Sequence, residues 1–366
     1  MNELPRWADV VLVPLINIAL AFIVAGLVVL AIGQNPIDMV YFMVKGALGS
    51  TSSIGYTLYY TTNFIFTGLA FAVAMNAKLF NIGGEGQAAI GGLGAALVLL
   101  AIDWPHWTLA LPAAIIGASV FGAGWAAIPA YLQAKRGSHI VITTIMFNFI
   151  GAAILGYLLN GLLKKPGQQV PESRSFSEGA HLPNFHEMLQ PFGIAFNKSA
   201  PANISFFLAI GAAILVWLLI WRSRIGYEIR AFGNSPGATL YAGISSVRVT
   251  IIAMLISGAL AGMMAINVVM GEQERLIKDF VEGAGFMGIA VSLMGRNHPF
   301  GIVLAAFLFG MLNQGGFELM WEMPEISREM VLVIQALIII FTGALVNMTR
   351  DPIEKIFLRL HKKGAA

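Results

Sequence analysis

The sequence predicts an all-α fold: a polytopic helical membrane protein of about ten transmembrane helices, with a broken or short helix in each half. Three observations carry this. Of 366 residues, 57% are hydrophobic and only 11% are charged, well below the ~25% charged residues of soluble domains. Nearly uncharged runs of ~18 or more residues recur along the chain, each long enough to cross the hydrocarbon core as a helix. The ten-residue alternation of membrane β-barrel strands is missing. The formal charge of +3 is too small to point to a nucleic acid, and the sequence has no cysteine. Disulfides, thiol catalysis and Cys-based metal sites are therefore excluded.

The elements follow in order. The first span is placed at 10–32. This run exceeds the 7–15 residue apolar region of a secretory signal, and Arg6 is outweighed by Glu3 and Asp9, so it reads as a helix. Asn35-Pro36 opens a short apolar stretch to Val44, the pattern of a capped helix lying outside the membrane plane. Further spans are placed at 53–76, 85–102, 108–132, 140–161, 202–221, 249–270, 281–295, 299–315 and 330–349. The whole chain, 1–366, is read as one permeating domain with an outer loop at 162–200, an inner loop at 222–248 and an inner tail at 350–366. Orientation rests on lysine and arginine. With both ends inside, inner segments hold 14 of the 22 (among them Arg6, Lys135, Arg136, Arg222, Arg230 and Arg350), which is the asymmetry that sets topology. Trp104 and Trp107 at one edge and Trp217 and Trp221 at the other suit interfacial anchoring.

Two places break the apolar pattern. Phe80-Asn-Ile-Gly-Gly-Glu-Gly-Gln87 sets three glycines, two amides and a carboxylate beside hydrocarbon-length sequence. A carboxylate at membrane depth costs about 2.5–3.5 kcal/mol on insertion scales unless a partner or water receives it. Broken backbone at that depth is tolerated only against protein or a wet cavity. The run 281–295 reaches only ~22 Å at 1.5 Å per residue and opens with Val281-Glu-Gly-Ala-Gly-Phe286. Paired, glycine-broken segments in two halves of a chain point to a transport path. Phe80, Asn81, Glu85, Gln87, Asn148, Glu282 and Phe286 are the candidate path residues. Glu85 has two readings: it lines the path, or it caps the amides of a helix N-terminus. Asn148 likewise either lines the path or bridges helices.

The inner loop has its own punctuation. Ser235-Pro236 is an N-cap followed by proline at the first helical position, and Gly243 is placed to end the helix. A rigid helix of about two turns would dock into another protein; the plain alternative is a solvated connection. Enzymatic signatures are missing. No Gly-Lys dipeptide occurs, so no phosphate-binding loop is present. His186-Glu187 lacks the second histidine of a zinc-protease helix. The nearly charge-free spans argue against a proton pump. The chain is not expected to be an enzyme, and no cofactor is expected.

Phe80–Gln87, Thr143-Thr-Ile-Met-Phe-Asn148, Gly226-Tyr-Glu-Ile-Arg-Ala-Phe-Gly233 and Gly283–Asn297 resemble the signature stretches of bacterial ABC-importer permeases. The group is the one for branched-chain amino acids, simple sugars and nucleosides, and the likeness is greatest to its nucleoside branch. It covers residues ~55–348 in the expected order. The resemblance implies a permease subunit of an ATP-driven nucleoside importer in the bacterial cytoplasmic (inner) membrane, with both termini cytoplasmic, working by alternating access. It implies partners: a second, unlike and shorter permease, a cytoplasmic ATP-binding cassette protein that hydrolyses the ATP, and an extracytoplasmic substrate-binding protein. It also implies that the inner helix is the coupling helix, with Gly226, Tyr227, Glu228, Arg230, Gly233, Asn234, Pro236, Ala238 and Gly243 as the coupling residues. A ribose-type sugar permease and a stand-alone channel or secondary carrier are the alternatives. A membrane scaffold without transport would give no reason for the two breaks.

Overall fold

The computed structural model describes Pro5, Ala8, residues 12–341, Pro352 and Glu354. The start of the predicted first span, the end of the tenth (342–349) and nearly all of the tail at 350–366 lie outside these residues. Among the described residues the regular structure is helical, with two isolated β-bridges and no strand. The helices are α1 Val13–Ala31, α2 Pro36–Leu48, α3 Thr51–Asn76, α4 Gly84–Ala101, α5 Trp107–Arg136, α6 Ile140–Asn160, α7 Phe185–Leu189, α8 Ser205–Arg222, α9 Arg224–Asn234, α10 Pro236–Tyr241, α11 Ser246–Ala265, α12 Ala284–Met294, α13 Pro299–Glu322 and α14 Arg328–Ile339. Among the described residues seven are long and apolar enough to cross a membrane: α3, α4, α5, α6, α8, α11 with its π-helical extension to Glu272, and α13. The bent pair α1–α2 makes eight.

The chain divides into two compact units, residues 1–50 with 311–366, and residues 51–310. In the smaller unit the chain turns by 119° between α1 and α2. The turn has a local cause: Asn35 Oδ1 accepts from Ile37 N at 3.0 Å and Pro36 sits at the first helical position. Lys45 Nζ meets Glu322 Oε1 at 2.8 Å, and Gln335 Nε2 donates to the Leu312 carbonyl at 2.9 Å.

In the larger unit α3 is the central helix, buried almost without interruption from Thr61 to Ala74. The helices α4, α5 and α11 close against each other through small residues. A Cβ on Gly91 would lie 2.3 Å from Gly262 Cα, and one on Gly122 would lie 2.3 Å from the Gly258 carbonyl oxygen. With no hydrophobic force between helices in lipid, such close backbone approach supplies the packing. The short span expected at 281–295 is shorter still, as α12 has only 11 residues, ~16 Å at 1.5 Å per residue. Two expectations change. The predicted 299–315 span runs on to Glu322: Leu312–Glu322 holds no proline, and its Gly315 and Gly316 are kept helical by close packing on Met43 and Val331. The inner loop contains a further helix, α9, capped by Ser223, whose Oγ accepts from Gly226 N at 3.0 Å.

The long connection 161–204 is anchored along its length. Glu172 pairs antiparallel with Ile277 and meets Arg275 at 3.1 Å. Ser173 N donates to the Leu276 carbonyl at 2.9 Å, and His181 Nδ1 lies 3.2 Å from Glu274 Oε1. The connection therefore clamps the segment 274–277 that leads into the second break.

Candidate functional site

Both breaks fall in the larger unit, and the fold brings them together. Glu85, in the first turn of α4, reaches not to its own helix but to the start of α12. Its Oε1 accepts from Gly283 N at 2.8 Å and its Oε2 from Gly285 N at 2.9 Å. Four N–H groups at a helix N-terminus lack intrahelical partners, and a carboxylate there also meets the positive end of the dipole. The charge that looked costly thus has donors. Contact between the breaks is backbone on backbone: a Cβ on Gly285 would lie 2.2 Å from Glu85 N. Asp279, Glu282 and Gly283 just before α12 all have positive φ, 57°, 50° and 81°. For the two acidic residues this is an uncommon conformation.

The far side of the first break is held by α6. Asn148 Oδ1 accepts from Gly86 N and its Nδ2 donates to the Ile82 carbonyl, both at 2.9 Å. Asn81 and Gln87 form a closed amide pair. Asn81 Nδ2 donates to Gln87 Oε1 at 3.0 Å, and Gln87 Nε2 donates to Asn81 Oδ1 at 3.1 Å. Asn81 also donates to Ser257 Oγ at 2.9 Å and accepts from Gly83 N at 2.9 Å. Both amides are buried and committed to internal partners. Phe80 packs edge-on to Phe71 at 5.0 Å between centroids, and Phe286 is half exposed.

Glu85, Asn148 and Glu282 are the candidate path residues that share a cavity. It measures about 130 Å³ and is also lined by Ala89, Leu155, Asp279 and Phe280. It is smaller than the ~300 Å³ at which ligand pockets begin, so in this conformation the space beside the breaks is too small for a nucleoside-sized ligand. Among the described residues no three histidine, aspartate or glutamate side chains come together as a metal site would require.

One hub was not singled out from the sequence. α11 passes into a π-helical stretch, Ile266–Glu272, and Asn267 is buried inside it. Its Nδ2 donates to the Tyr59 carbonyl at 3.0 Å and to Asn63 Oδ1 at 2.8 Å, while its Oδ1 accepts from Asn203 Nδ2 at 2.9 Å and Ser205 Oγ at 2.8 Å. π-turns are frequent at functional sites. The signal was an asparagine inside an apolar run, easily passed over because the run around it scores as one helix.

At the other end, α9 and α10 carry the predicted coupling residues. Ser235 Oγ accepts from Ala238 N at 3.3 Å to cap α10, Pro236 opens it, and Gly243 follows with φ 75°. α9 is fitted closely to its neighbours. A Cβ on Gly226 would lie 2.0 Å from the Leu219 carbonyl oxygen, and one on Gly233 would lie 2.1 Å from that of Asn76 at the end of α3. Glu228 is buried and pairs with Arg224 at 3.1 Å, and Arg230 Nε donates to the Ile220 carbonyl at 3.0 Å. Large apolar side chains also face outward: Tyr227, Leu240 and Tyr241 are 61%, 69% and 96% exposed.

A polytopic α-helical protein whose two glycine-broken helices meet beside a small cavity edged by carboxylates and an amide, with a helical handle at one end, has the layout of a transport subunit. Comparison with known proteins gives the family. Residues 53–343 match the family described as "Branched-chain amino acid transport system / permease component", and the chain belongs to that family of permeases. It is 35% identical over 336 residues, 90% of each chain, to the nucleoside ABC transporter permease protein NupB of Lactococcus lactis subsp. cremoris. It is 34% identical over 355 residues, 97% of each chain, to the guanosine ABC transporter permease protein NupP of Bacillus subtilis. The glucose ABC transporter permease protein TsgB13 of Haloferax volcanii is 31% identical over 90% of this chain and 86% of its own. A second nucleoside permease protein of the same Lactococcus strain, NupC, matches at 24% over 70% of this chain and 79% of its own. No solved structure matches the chain.

Proposed function

We propose that this permease imports nucleosides across the bacterial cytoplasmic membrane, with both of its ends in the cytoplasm. The observation that carries the reading is the match to the nucleoside permease NupB and the guanosine permease NupP along nine-tenths or more of each chain. The lower identity to a glucose permease supports the sugar alternative less well. The existence of NupB and NupC in one strain supports a pore made with a second, unlike permease. A cytoplasmic ATP-binding cassette protein supplies the energy, and an extracytoplasmic binding protein delivers the ligand.

In this mechanism cassette closure pushes α10. The push has a rigid route, because α9 abuts the ends of α8 and α3 through Gly226, Arg230 and Gly233. α3 in turn packs against α12, where a Cβ on Gly288 would lie 2.5 Å from Thr67 Oγ1. Displacing α3 and α12 opens and closes the space beside Glu85, Asn148 and Glu282 to alternate sides. Contacts to ligand inside the path are few, since a site that held tightly would not release.

The test is reconstitution of this chain with its partner permease, cassettes and binding protein in liposomes. ATP-dependent uptake of labelled guanosine or inosine in preference to ribose and glucose is expected. Equal flux through the chain alone, without cassettes or ATP, would reject an ATP-driven importer; ATP-driven uptake of sugar alone would reject the nucleoside assignment.

A further inference from the structure

The two sides of the cavity are built differently. One is helical, with Glu85 and Ala89 on α4 and Asn148, Ala152 and Leu155 on α6. The other is Asp279–Glu282, within a stretch, 273–283, that contains no helix. α4 cannot shift alone, because Gly94 meets Gly117 of α5 and Gly91 meets Gly262 of α11 backbone to backbone. The irregular side has hinges instead. Glu274, Asp279 and Glu282 have φ of 53°, 57° and 50°, and such residues keep a left-handed backbone only where their surroundings impose it. Between them Phe280 is buried, its ring against Gly92 of α4.

The long connection is what imposes this conformation. Ser173 N donates to the Leu276 carbonyl at 2.9 Å, Leu276 N to Ser173 Oγ at 3.0 Å, and Phe176 N to the Glu274 carbonyl at 2.9 Å. Glu172 meets Arg275, and His181 meets Glu274. The same stretch is fastened to the end of α4 and the turn after it. Arg174 Nη2 donates to the Leu100 carbonyl at 2.6 Å, and Trp104 N donates to Ser177 Oγ at 3.0 Å. Residues 172–181 therefore tie the irregular side of the cavity to the helical side. The two fastenings differ in how easily they open. His181, Glu274 and Arg275 are partly exposed, and ion pairs open to water are worth little.

We infer that residues 172–181 are the outer latch of the transport path. While they hold 274–277, Phe280 and its neighbours keep the space too small for ligand, and transport requires the latch to release them. The left-handed residues Asp279 and Glu282 absorb the swing, and Gly283, bonded to Glu85, is its pivot. Glu172, Ser173 and Phe176 are positioning residues, acting through the wall and not on the ligand. The inference rests on the alternating-access reading and deepens it, naming the wall that moves and the contact that restrains it.

The chain has no cysteine, so the latch can be locked by one engineered bridge. Glu172 and Ile277 are antiparallel partners, and the Ser173–Leu276 hydrogen bond beside them makes theirs a non-hydrogen-bonded pair. Such pairs stand about 4.5 Å apart between Cα atoms, within the span of a disulfide. The importer carrying Glu172→Cys with Ile277→Cys is assembled in liposomes with its partners, and inosine uptake is measured oxidised and after reduction. The unaltered importer, taken through the same oxidation, is the reference for effects on the partners. Uptake by the oxidised variant is expected to be at least about tenfold below that after reduction, because a step that cannot open halts every cycle. Equal uptake with the bridge complete would overturn the inference.

A second measurement needs no variant: amide hydrogen exchange of the unaltered importer at rest and during ATP turnover. Peptides over 173–176 and 274–277 are expected to exchange faster in turnover, while those of α4 and α5 keep their protection. Unchanged exchange at the latch would overturn the inference even if the double variant were inactive after reduction. Absence of ATP-dependent inosine uptake by the unaltered importer would reject the reading on which the latch rests, whereas uptake that survives the bridge rejects the latch alone.

Discussion

The two breaks and the handle are built from similar local sequence, glycines interleaved with caps, yet they end in opposite states. At the breaks four of the five candidate polar side chains are held by partners within the chain. Asn81 pairs with Gln87, Asn148 holds Gly86 and Ile82, and Glu85 holds Gly283 and Gly285. In the handle buried Glu228 pairs with the exposed Arg224 and Arg230 is tied to Ile220, while the apolar Tyr227, Leu240 and Tyr241 are left largely exposed. A joint inside a membrane must satisfy its backbone internally, since neither water nor lipid will do it. A surface that docks another protein is left unfinished instead. On the proposed mechanism, the difference separates what holds the permease together from what lets it be driven.

That separation can be broken in order of expected damage to the fold. Gly285→Val comes first. Its Cβ would already lie 2.2 Å from Glu85 N, and overpacking of this kind costs about 1–3 kcal/mol or more. Loss of the monodisperse peak of the detergent-solubilised protein is expected, and a normal melting curve would show that the breaks are not closely packed. Asn148→Ala follows. It strands the Gly86 N–H and the Ile82 carbonyl, and each buried orphan costs about 1–3 kcal/mol. A clear fall in melting temperature, with uptake falling only as far as folded protein does, is the expected result. Glu85→Gln is milder, near 1–2 kcal/mol, because one carbonyl oxygen still accepts while an NH₂ replaces the other. If Glu85→Gln kept full stability but lost transport, the carboxylate would belong to the path and not to the cap on α12.

The sequence showed where the two breaks lie, but not that they meet. Glycines and a carboxylate between apolar runs are a local signal of cost, legible residue by residue. That Glu85 caps α12, 198 positions away along the chain, depends on tertiary placement, which no periodicity records. The Ser235-Pro236 cap of α10 and the Asn35-Pro36 cap of α2 were legible for the opposite reason, as both are made within three residues. α9 escaped because Arg224, Glu228 and Arg230 read as a solvated loop. Its amphipathic face becomes visible only once Gly226 and Gly233 are seen against the ends of α8 and α3. Asn267 escaped because a single amide at the end of a long apolar run does not disturb a helix assignment, and the π turn that gives it its direction has no clear sequence mark.

The smallest effect on the fold is expected from the change that should matter most to coupling. Replacing both Leu240 and Tyr241 by serine removes two side chains that are 69% and 96% exposed, and surface substitutions of this kind leave stability within about 0.5 kcal/mol. Ser235 and Pro236 still cap α10, so the helix itself persists. The variant should insert, melt and co-purify with its partner permease as the unaltered chain does. Its attachment to the cassettes should weaken, and ATP-dependent uptake should fall to background, since an apolar anchor fitted into a partner's pocket carries most of such an interface. Gly233→Trp would not serve the same purpose, because a side chain there collides with the Asn76 carbonyl and damages the joint as well as the surface. Normal uptake in the double serine variant would remove the docking role from α10 and return that end of the protein to a plain connection between α8 and α11.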